Sequence, residues 1–231
     1  NSSVGGSLYC LYVYYSTLAN IYQNNVYNNT TSGSGTIYGI YPYSNITTGA
    51  LYQNKVYGLS TIGTGPVYDI YSSSPTIGIF NNFVSDLHAG ASTSTTAVNG
   101  VYVAGGTTVG VYYNSIYLNT SSSSATTFGT TGIYVSTTPT AEVRNNVVVN
   151  LSTPGPTGGF TVAHRRSGTS LTSYTSSSNT NDFYVDPGAG IRRYYYSHGT
   201  TAADCDSTFA AYKSRVASRD GASCAENPFF F

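Results

Sequence analysis

One phrase decides the fold, and it is clearest in the ten residues Leu51-Tyr-Gln-Asn-Lys-Val-Tyr-Gly-Leu-Ser60. Four more copies of this phrase occur in the chain. One asparagine keeps a fixed place in all five copies: Asn24, Asn54, Asn82, Asn114 and Asn146. The steps between these asparagines are 30, 28, 32 and 32 residues. A repeat of this length is typical of a solenoid, in which each repeat forms one coil.

A second phrase runs in step with the first and, in five of its six copies, places a tyrosine after an aliphatic residue. Its copies start at Leu11, Ile40, Ile70, Val101, Ile133 and Phe160. Because both phrases alternate inward and outward positions as strands do, we predict an all-β fold. The specific expectation is a right-handed parallel β-helix of about five to six coils.

The repeated asparagine has two properties that suit a corner between strands. Its backbone tolerates the left-handed conformation better than most residues. Its side-chain amide also reaches the equivalent amide on the next coil, since stacked strands lie about 4.8 Å apart. We therefore predict that the five asparagines form a hydrogen-bonded ladder with a structural role.

Two regions follow from the pattern. Residues 1–166 form the parallel β-helix repeats, and residues 167–231 form the last coil and a C-terminal cap with one helix at about 206–219. In that helix Asp206 is the expected N-cap, and Phe209, Tyr212 and Val216 share one face. A solenoid needs its open end covered, so this helix is the expected C-terminal cap.

Composition excludes several classes of function. Charged residues make up 8% of the chain, and nine basic residues balance nine acidic ones. This gives no electrostatic footprint for a nucleic acid or an anionic membrane, and no apolar run reaches the length of a membrane span. Methionine is absent, so we expect a processed or excerpted chain.

The three cysteines allow two interpretations. All three are buried thiols, or Cys205 and Cys224 form a disulfide while Cys10 stays unpaired and inward-facing. The polar, tyrosine-rich, weakly charged composition suits an extracellular protein, which favours the disulfide.

Strand alternation predicts three outward rows of aromatic residues. The first contains Tyr12, Tyr41, Tyr71, Tyr102 and Tyr134; the second contains Tyr22, Tyr52, Phe80 and Tyr112, then Arg144; the third contains Tyr27, Tyr57 and Tyr117, with Ser85 between the last two. Tyrosine favours strands and stacks between coils, but long exposed aromatic stripes also mark contact surfaces. We therefore predict that these rows form an interaction surface.

The sequence predicts neither a catalytic centre nor a metal or cofactor site. Enzymes that cleave polysaccharides need clustered carboxylates, yet Asp69, Asp86 and Glu142 align with no other acid in the repeats. His88 and Asp86 are interpreted as a polar loop pair. The segment 164–166, His-Arg-Arg, is interpreted as a solvated edge, with anionic-sugar binding as the alternative.

The repeats resemble the right-handed parallel β-helices of secreted, pectate-lyase-like proteins. The resemblance covers about residues 8–163 and depends on the repeated phrase in which aliphatic residues flank Asn-Asn. The tail phrases Thr208-Phe-Ala-Ala-Tyr212 and Asn227-Pro-Phe-Phe resemble the closing segment of surface β-helix proteins from Bacteroidetes-type bacteria. This resemblance implies export to the cell surface or the medium.

Together these observations favour an extracellular structural protein. We expect a surface or filament subunit that associates with itself, head-to-tail or laterally, through coil ends and tyrosine rows. The alternative is an adhesin that binds a cell-surface or environmental polysaccharide, and a polysaccharide lyase or hydrolase is the less favoured third interpretation.

Overall fold

The computed structural model describes residues 5–43, 47–122, 127–186, 188 and 190–229. The chain forms a parallel β-solenoid of about six turns with one short C-terminal helix, which confirms the predicted fold class. Part of the final Asn227-Pro-Phe-Phe phrase lies outside the described residues.

Most coils contribute three short strands. In chain order the strands are β1 (Leu8–Val13), β2 (Leu18–Tyr22), β3 (Asn25–Tyr27), β4 (Thr30–Thr31), β5 (Ile37–Pro42), β6 (Thr48–Tyr52), β7 (Lys55–Thr61), β8 (Val67–Ser72), β9 (Thr76–Phe80), β10 (Phe83–Ala89), β11 (Val98–Val103), β12 (Thr108–Tyr112), β13 (Ser115–Leu118), β14 (Thr130–Val135), β15 (Thr140–Arg144), β16 (Val147–Asn150), β17 (Thr161–Arg166), β18 (Asp182–Val185), β19 (Arg193–Ser197) and β20 (Cys205–Asp206). The helix α1 is Phe209–Val216.

The strands stack into three sheets that run along the solenoid. The eight-stranded sheet has the order β1-β5-β8-β11-β14-β17-β19-β20, and only its last pair is antiparallel. The seven-stranded sheet contains β18-β16-β13-β10-β7-β3 with β4 beside β7, and the five-stranded sheet is β15-β12-β9-β6-β2. Aliphatic residues from all three sheets fill the interior; Ile40, Ile70, Leu51 and Val56 are fully buried.

The five predicted asparagines are joined by side-chain hydrogen bonds. Asn24 Nδ2 donates to Asn54 Oδ1 at 2.9 Å, and the same contact links Asn54 to Asn82 (2.9 Å), Asn82 to Asn114 (2.9 Å) and Asn114 to Asn146 (3.0 Å). A sixth asparagine, Asn181, continues the series at 3.0 Å. We call these six residues the asparagine ladder.

The left-handed turn beside the ladder lies one residue earlier than predicted. Each residue that precedes a ladder asparagine has a positive φ between 54° and 56°: Gln23, Gln53, Asn81, Tyr113, Asn145 and Thr180. The ladder asparagines themselves supply the side-chain amides that form the hydrogen bonds of the ladder. The preceding side chain points outward, so residues as different as Gln and Tyr occur there, and the sequence carried no signal for the strained position.

The sixth copy of the aliphatic-aromatic phrase was assigned to the wrong residue. In the structure Ile133 pairs with His164 and Tyr134 with Arg165, whereas Phe160 precedes strand β17. His164 and Arg166 therefore take the inward positions of the strand. The prediction of a solvated edge for residues 164–166 is wrong, because His164 and Arg166 are 0% exposed and Arg165 is 9% exposed.

The helix α1 covers the C-terminal end of the solenoid. Tyr212 and Val216 are fully buried against the last coil, and Phe209 is partly buried. The N-cap is Thr208, whose Oγ1 accepts from Ala211 N at 3.2 Å, and not Asp206. Asp206 instead accepts two hydrogen bonds from Arg215, at 2.6 and 2.9 Å, in the bidentate geometry that arginine and carboxylate favour.

The predicted disulfide is absent: Cys205 and Cys224 are both free thiols, as is Cys10. Cys205 lies opposite Ser197 in the eight-stranded sheet, whereas Cys224 bridges to Asp182 at the end of the seven-stranded sheet. The two cysteines thus end different sheets, and the cap is held by buried side chains. Cys10 is half-buried.

Candidate functional site

The outer side of the eight-stranded sheet carries a dense field of tyrosines, which we call the tyrosine face. It consists of Tyr9, Tyr12, Tyr14, Tyr38, Tyr41, Tyr43, Tyr68, Tyr71, Tyr102 and Tyr134. The sequence analysis predicted the row from Tyr12 to Tyr134 but missed the parallel row of Tyr9, Tyr38 and Tyr68.

The missed row has a structural cause. In β5 and β8 two consecutive residues face inward, such as Gly39 and Ile40, so outward positions are three apart and not two. The signal in the sequence is the repeated spacing Tyr38-Gly-Ile-Tyr41 and Tyr68-Asp-Ile-Tyr71. If side chains alternated strictly, the two tyrosines of each pair would lie on opposite faces of the sheet. The prediction from strict alternation is therefore wrong here.

Ring stacking between coils organises the tyrosine face. Tyr9 and Tyr38 stack at 4.9 Å with planes 4° apart, and Tyr71 and Tyr102 stack at 5.3 Å and 7°. Tyr102 and Tyr134 continue at 4.1 Å and 13°. These stacked rings turn their faces towards one another along the solenoid axis. Tyr41 and Tyr71 instead meet edge to face, at 4.7 Å and 71°, so the surface presents ring edges, ring faces and hydroxyl groups.

The tyrosine face carries almost no charge. Burial, and to a lesser extent the neighbouring Tyr41, raises the pKa of Tyr71 to about 12. Burial also raises the pKa of Tyr38, Tyr41 and Tyr68. Strands β1, β5, β8, β11 and β14 contain one charged residue, Asp69, and it is fully buried.

The second predicted row lies on the five-stranded sheet and is also stacked. Tyr22 and Tyr52 lie 5.0 Å apart, and Tyr52 and Phe80 lie 4.9 Å apart, both at 4°. Tyr112 ends the row differently, because its hydroxyl donates to Glu142 at 2.6 Å and Arg144 lies over its ring at 5.0 Å. The sequence analysis missed a row of exposed or half-buried threonines beside it: Thr48, Thr76, Thr108 and Thr140.

The third predicted row lies on the seven-stranded sheet and is interrupted. Tyr27 and Tyr57 stack at 5.5 Å and 13°. Ser85 is paired with Tyr57 in the next coil, and Tyr117 follows beyond it. The three predicted rows therefore lie on three different sheets and form three separate surfaces.

Within the described residues, the carboxylates and basic groups show no accessible arrangement that resembles a catalytic site. His88 Nε2 lies 2.7 Å from Asp86 Oδ1, and His88 Nδ1 lies 3.3 Å from Thr120 Oγ1. This resembles an acid-histidine-hydroxyl series, but Thr120 is 6% exposed and is poorly accessible to a polymer. The ring of His164 packs against that of Phe183, with centroids 5.3 Å apart. Burial, and to a lesser extent the charge of Arg166, lowers the pKa of His164 to about 3.

Asp69 is the most unusual carboxylate in the chain. It is 0% exposed, and neither oxygen has a hydrogen-bond partner in the described part of the protein. It lies in an inward row of small residues with Gly39 and Gly100 as its neighbours. Burial raises the pKa of Asp69 well above the usual range. The pKa of the Cys10 thiol is raised to about 11, mainly by burial and to a lesser extent by the charge of Asp69.

We expect Asp69→Asn to change how stability depends on pH. A raised folded-state pKa means that the contribution of Asp69 to stability is complete below the unfolded pKa, near 4, and declines as pH rises towards the folded pKa. Urea unfolding should therefore show that the free energy of unfolding of the variant, relative to that of the native chain, is more than about 1 kcal/mol higher at pH 7 than at pH 4. Parallel stability curves for the two chains would contradict this.

No helix in the described ranges is long and apolar enough to span a membrane. Within the same part of the chain, no group of three or more His, Cys, Asp or Glu side chains is arranged to hold a metal ion.

Fold and surface together define a parallel β-solenoid with aromatic rows on its outer sheets. No family model, no curated protein and no solved structure matches this chain.

Proposed function

We propose that the protein is an extracellular structural subunit that associates laterally with copies of itself through the tyrosine face. The observation that supports this most directly is the combination of ten tyrosines with the absence of charge on the five strands that carry most of them, apart from the buried Asp69. Extended exposed aromatic surfaces of this kind are characteristic of contact sites.

A neutral face favours contact with an identical face. Two copies of a charged surface bring like charges together, which opposes association, whereas hydroxyl groups both donate and accept hydrogen bonds. Tyrosine also offers a large contact area with little side-chain entropy to lose. Rows repeated at about 4.8 Å give two such faces a common register.

The proposed contact is lateral because the C-terminal coil end is covered. The helix α1 and strand β20 occupy that end, so head-to-tail strand addition there requires the cap to move. Lateral contact requires no such change.

The proposed extracellular location depends on composition and on resemblance. Low charge with abundant Ser, Thr, Asn and Tyr suits an exported protein, and the repeat and tail phrases resemble those of secreted, pectate-lyase-like and Bacteroidetes-type surface proteins. We therefore propose that the subunit acts on or outside the cell surface.

A glycan-binding adhesin is the second candidate, and the outward tyrosine hydroxyls favour it. Regular hydroxyl rows can hydrogen-bond to a repeating polysaccharide. However, stacking on sugars uses ring faces, and in the stacked pairs a neighbouring ring covers one face of each ring. A polysaccharide lyase or hydrolase is less favoured, since Asp69 and Arg166 are buried.

The proposal is tested by placing charge on the tyrosine face. In Tyr71→Lys/Tyr102→Lys, like charges would meet across the contact, so we expect the variant to stay monomeric where the native chain associates. Sedimentation velocity over a range of concentrations, with electron microscopy of the same samples, measures this directly.

The matched control is Tyr22→Lys/Tyr52→Lys on the five-stranded sheet, which should associate as the native chain does. A native chain that remains monomeric at every concentration would overturn the proposal. If only the control variant lost association, the contact would lie on the five-stranded sheet and not on the tyrosine face. Saturable binding of one polymer in a glycan screen, lost in Tyr71→Lys/Tyr102→Lys, would favour the adhesin.

A further inference from the structure

The aromatic row on the seven-stranded sheet has a missing member. Tyr27 and Tyr57 stack at 5.5 Å, and the next position in register is Ser85. The side of the Tyr57 ring that faces Ser85 has no stacking partner among the residues that the structure describes. On this sheet an aromatic ring face is therefore open.

A cavity occupies the place of the missing ring. It has a volume of about 460 Å³ and is lined by Asn25, Lys55, Tyr57, Phe83 and Ser85. Small-molecule sites usually occupy about 300–1,000 Å³, so the cavity is large enough for one or two sugar units. Asn25, Lys55 and Phe83 are in register on β3, β7 and β10, so they form one wall and Tyr57 with Ser85 forms the other.

The polar groups of this cavity are uncommitted. Among the described residues, no hydrogen bond or ion pair is formed by the side chains of Asn25, Lys55 or Ser85, and Asn25 and Lys55 are exposed. The chain has two lysines, and the other one, Lys213, donates to Gly221 O at 2.6 Å. Lys55 thus supplies an unpaired ammonium beside an open aromatic ring face.

The cavity lining indicates the kind of occupant. Tyr57 and Phe83 offer aromatic surface, Lys55 offers a cation, and Asn25 and Ser85 offer hydrogen-bonding groups. The apolar CH face, the hydroxyl groups and the negative charge of an anionic sugar match this combination.

We propose that this cavity binds one anionic pyranose unit of a glycan. The CH face of the sugar packs on Tyr57 and Phe83, its carboxylate or sulfate group pairs with Lys55, and its hydroxyl groups bond to Asn25 and Ser85. The site is separate from the tyrosine face and does not depend on self-association.

The test is nuclear magnetic resonance titration of the monomeric, full chain with three probes: a methyl glucuronide, a glucose sulfate ester and the neutral methyl glucoside. We expect dissociation constants of roughly 1 mM for at least one anionic probe and weaker binding of the neutral probe. The two anionic probes distinguish a carboxylate from a sulfate.

Two variants make the test specific. Lys55→Gln should weaken binding of the anionic probe about tenfold, the effect of losing one charge-assisted hydrogen bond, and leave the neutral probe unchanged. Ser85→Tyr restores the aromatic row and fills the cavity, so it should abolish binding of all probes while leaving the fold and the self-association intact. Lys213→Gln is the control for loss of a lysine elsewhere.

The proposal is overturned if neither anionic probe binds at millimolar concentration, or if Ser85→Tyr binds as well as the native chain. Equal loss of binding in Lys213→Gln and Lys55→Gln also rejects it, since the effect would then be one of net charge. None of these outcomes bears on the tyrosine face.

Discussion

Asp220→Ala should destabilise the C-terminal cap by roughly 3–5 kcal/mol, because buried donors left without an acceptor cost about 1–3 kcal/mol each. Asp220 is 0% exposed and accepts from Tyr174 (2.7 Å), Tyr212 (2.6 Å), Ser223 (2.6 Å) and Asn181 (2.9 Å). The substitution leaves four buried donors without this acceptor. Urea unfolding, together with hydrogen exchange of individual amides, measures both the size and the place of the loss.

The loss should be local, because each coil of a solenoid contacts mainly its neighbours. We expect faster exchange in α1 and β18 while β5 to β12 keep their protection. Asp204→Ala is the control. Asp204 accepts hydrogen bonds from the backbone and hydroxyl of Thr201 near the surface, where water can replace it, so the substitution should cost less than about 1 kcal/mol. Similar losses in the two variants would show that Asp220 does not secure the cap.

Asp220 also explains how the asparagine ladder ends. Every amide in the ladder donates towards the C-terminal end, and Asn181 Nδ2 makes the last contact with Asp220 Oδ1. A carboxylate has no donor of its own at neutral pH, so it accepts this bond and requires no further partner in the same direction. The ladder and the cap are thus one continuous network.

Asn82→Ala should have the second large effect, a loss of roughly 3–5 kcal/mol from two unsatisfied donors and one unsatisfied carbonyl. Asn82 Oδ1 accepts from both Asn54 N (3.0 Å) and Asn54 Nδ2 (2.9 Å), and its own amide donates to Leu51 O (2.9 Å). Asn82 is 2% exposed, so water cannot replace these partners.

Asn24→Ala is the matched control because Asn24 is the first member of the ladder. It is half-buried, and within the described residues no donor reaches its Oδ1. We expect a cost of about 1 kcal/mol or less, measured by the same unfolding experiment. If both asparagines cost the same, the ladder does not act as a cooperative buried series.

Local sequence patterns were sufficient to predict most of the solenoid. The fixed spacing of Asn24, Asn54 and Asn82 predicts the coil length, and identical residues on successive coils predict parallel register. These predictions succeed because each coil places its residues against the same positions of the next coil. A repeated sequence therefore encodes its own tertiary contacts.

The same reasoning failed where the repeat is imperfect. His164 and Arg166 are polar, so nothing in the local pattern assigns them to the inward positions that aliphatic residues occupy in earlier coils. They are tolerated because Tyr174, Phe183 and Tyr212 surround them in the cap. That environment is created by residues up to 48 positions away.

The sequence by itself determined the coil period, the parallel strands, the asparagine series and the presence of outward aromatic rows. Only the tertiary structure decided that Cys205 and Cys224 end different sheets, that Asp69 is buried with no hydrogen-bond partner among the described residues, and that Tyr38 and Tyr41 share one face. The physical reason is that periodicity reports which residues are equivalent between coils. It does not report how each strand bends within a coil or what covers the last one.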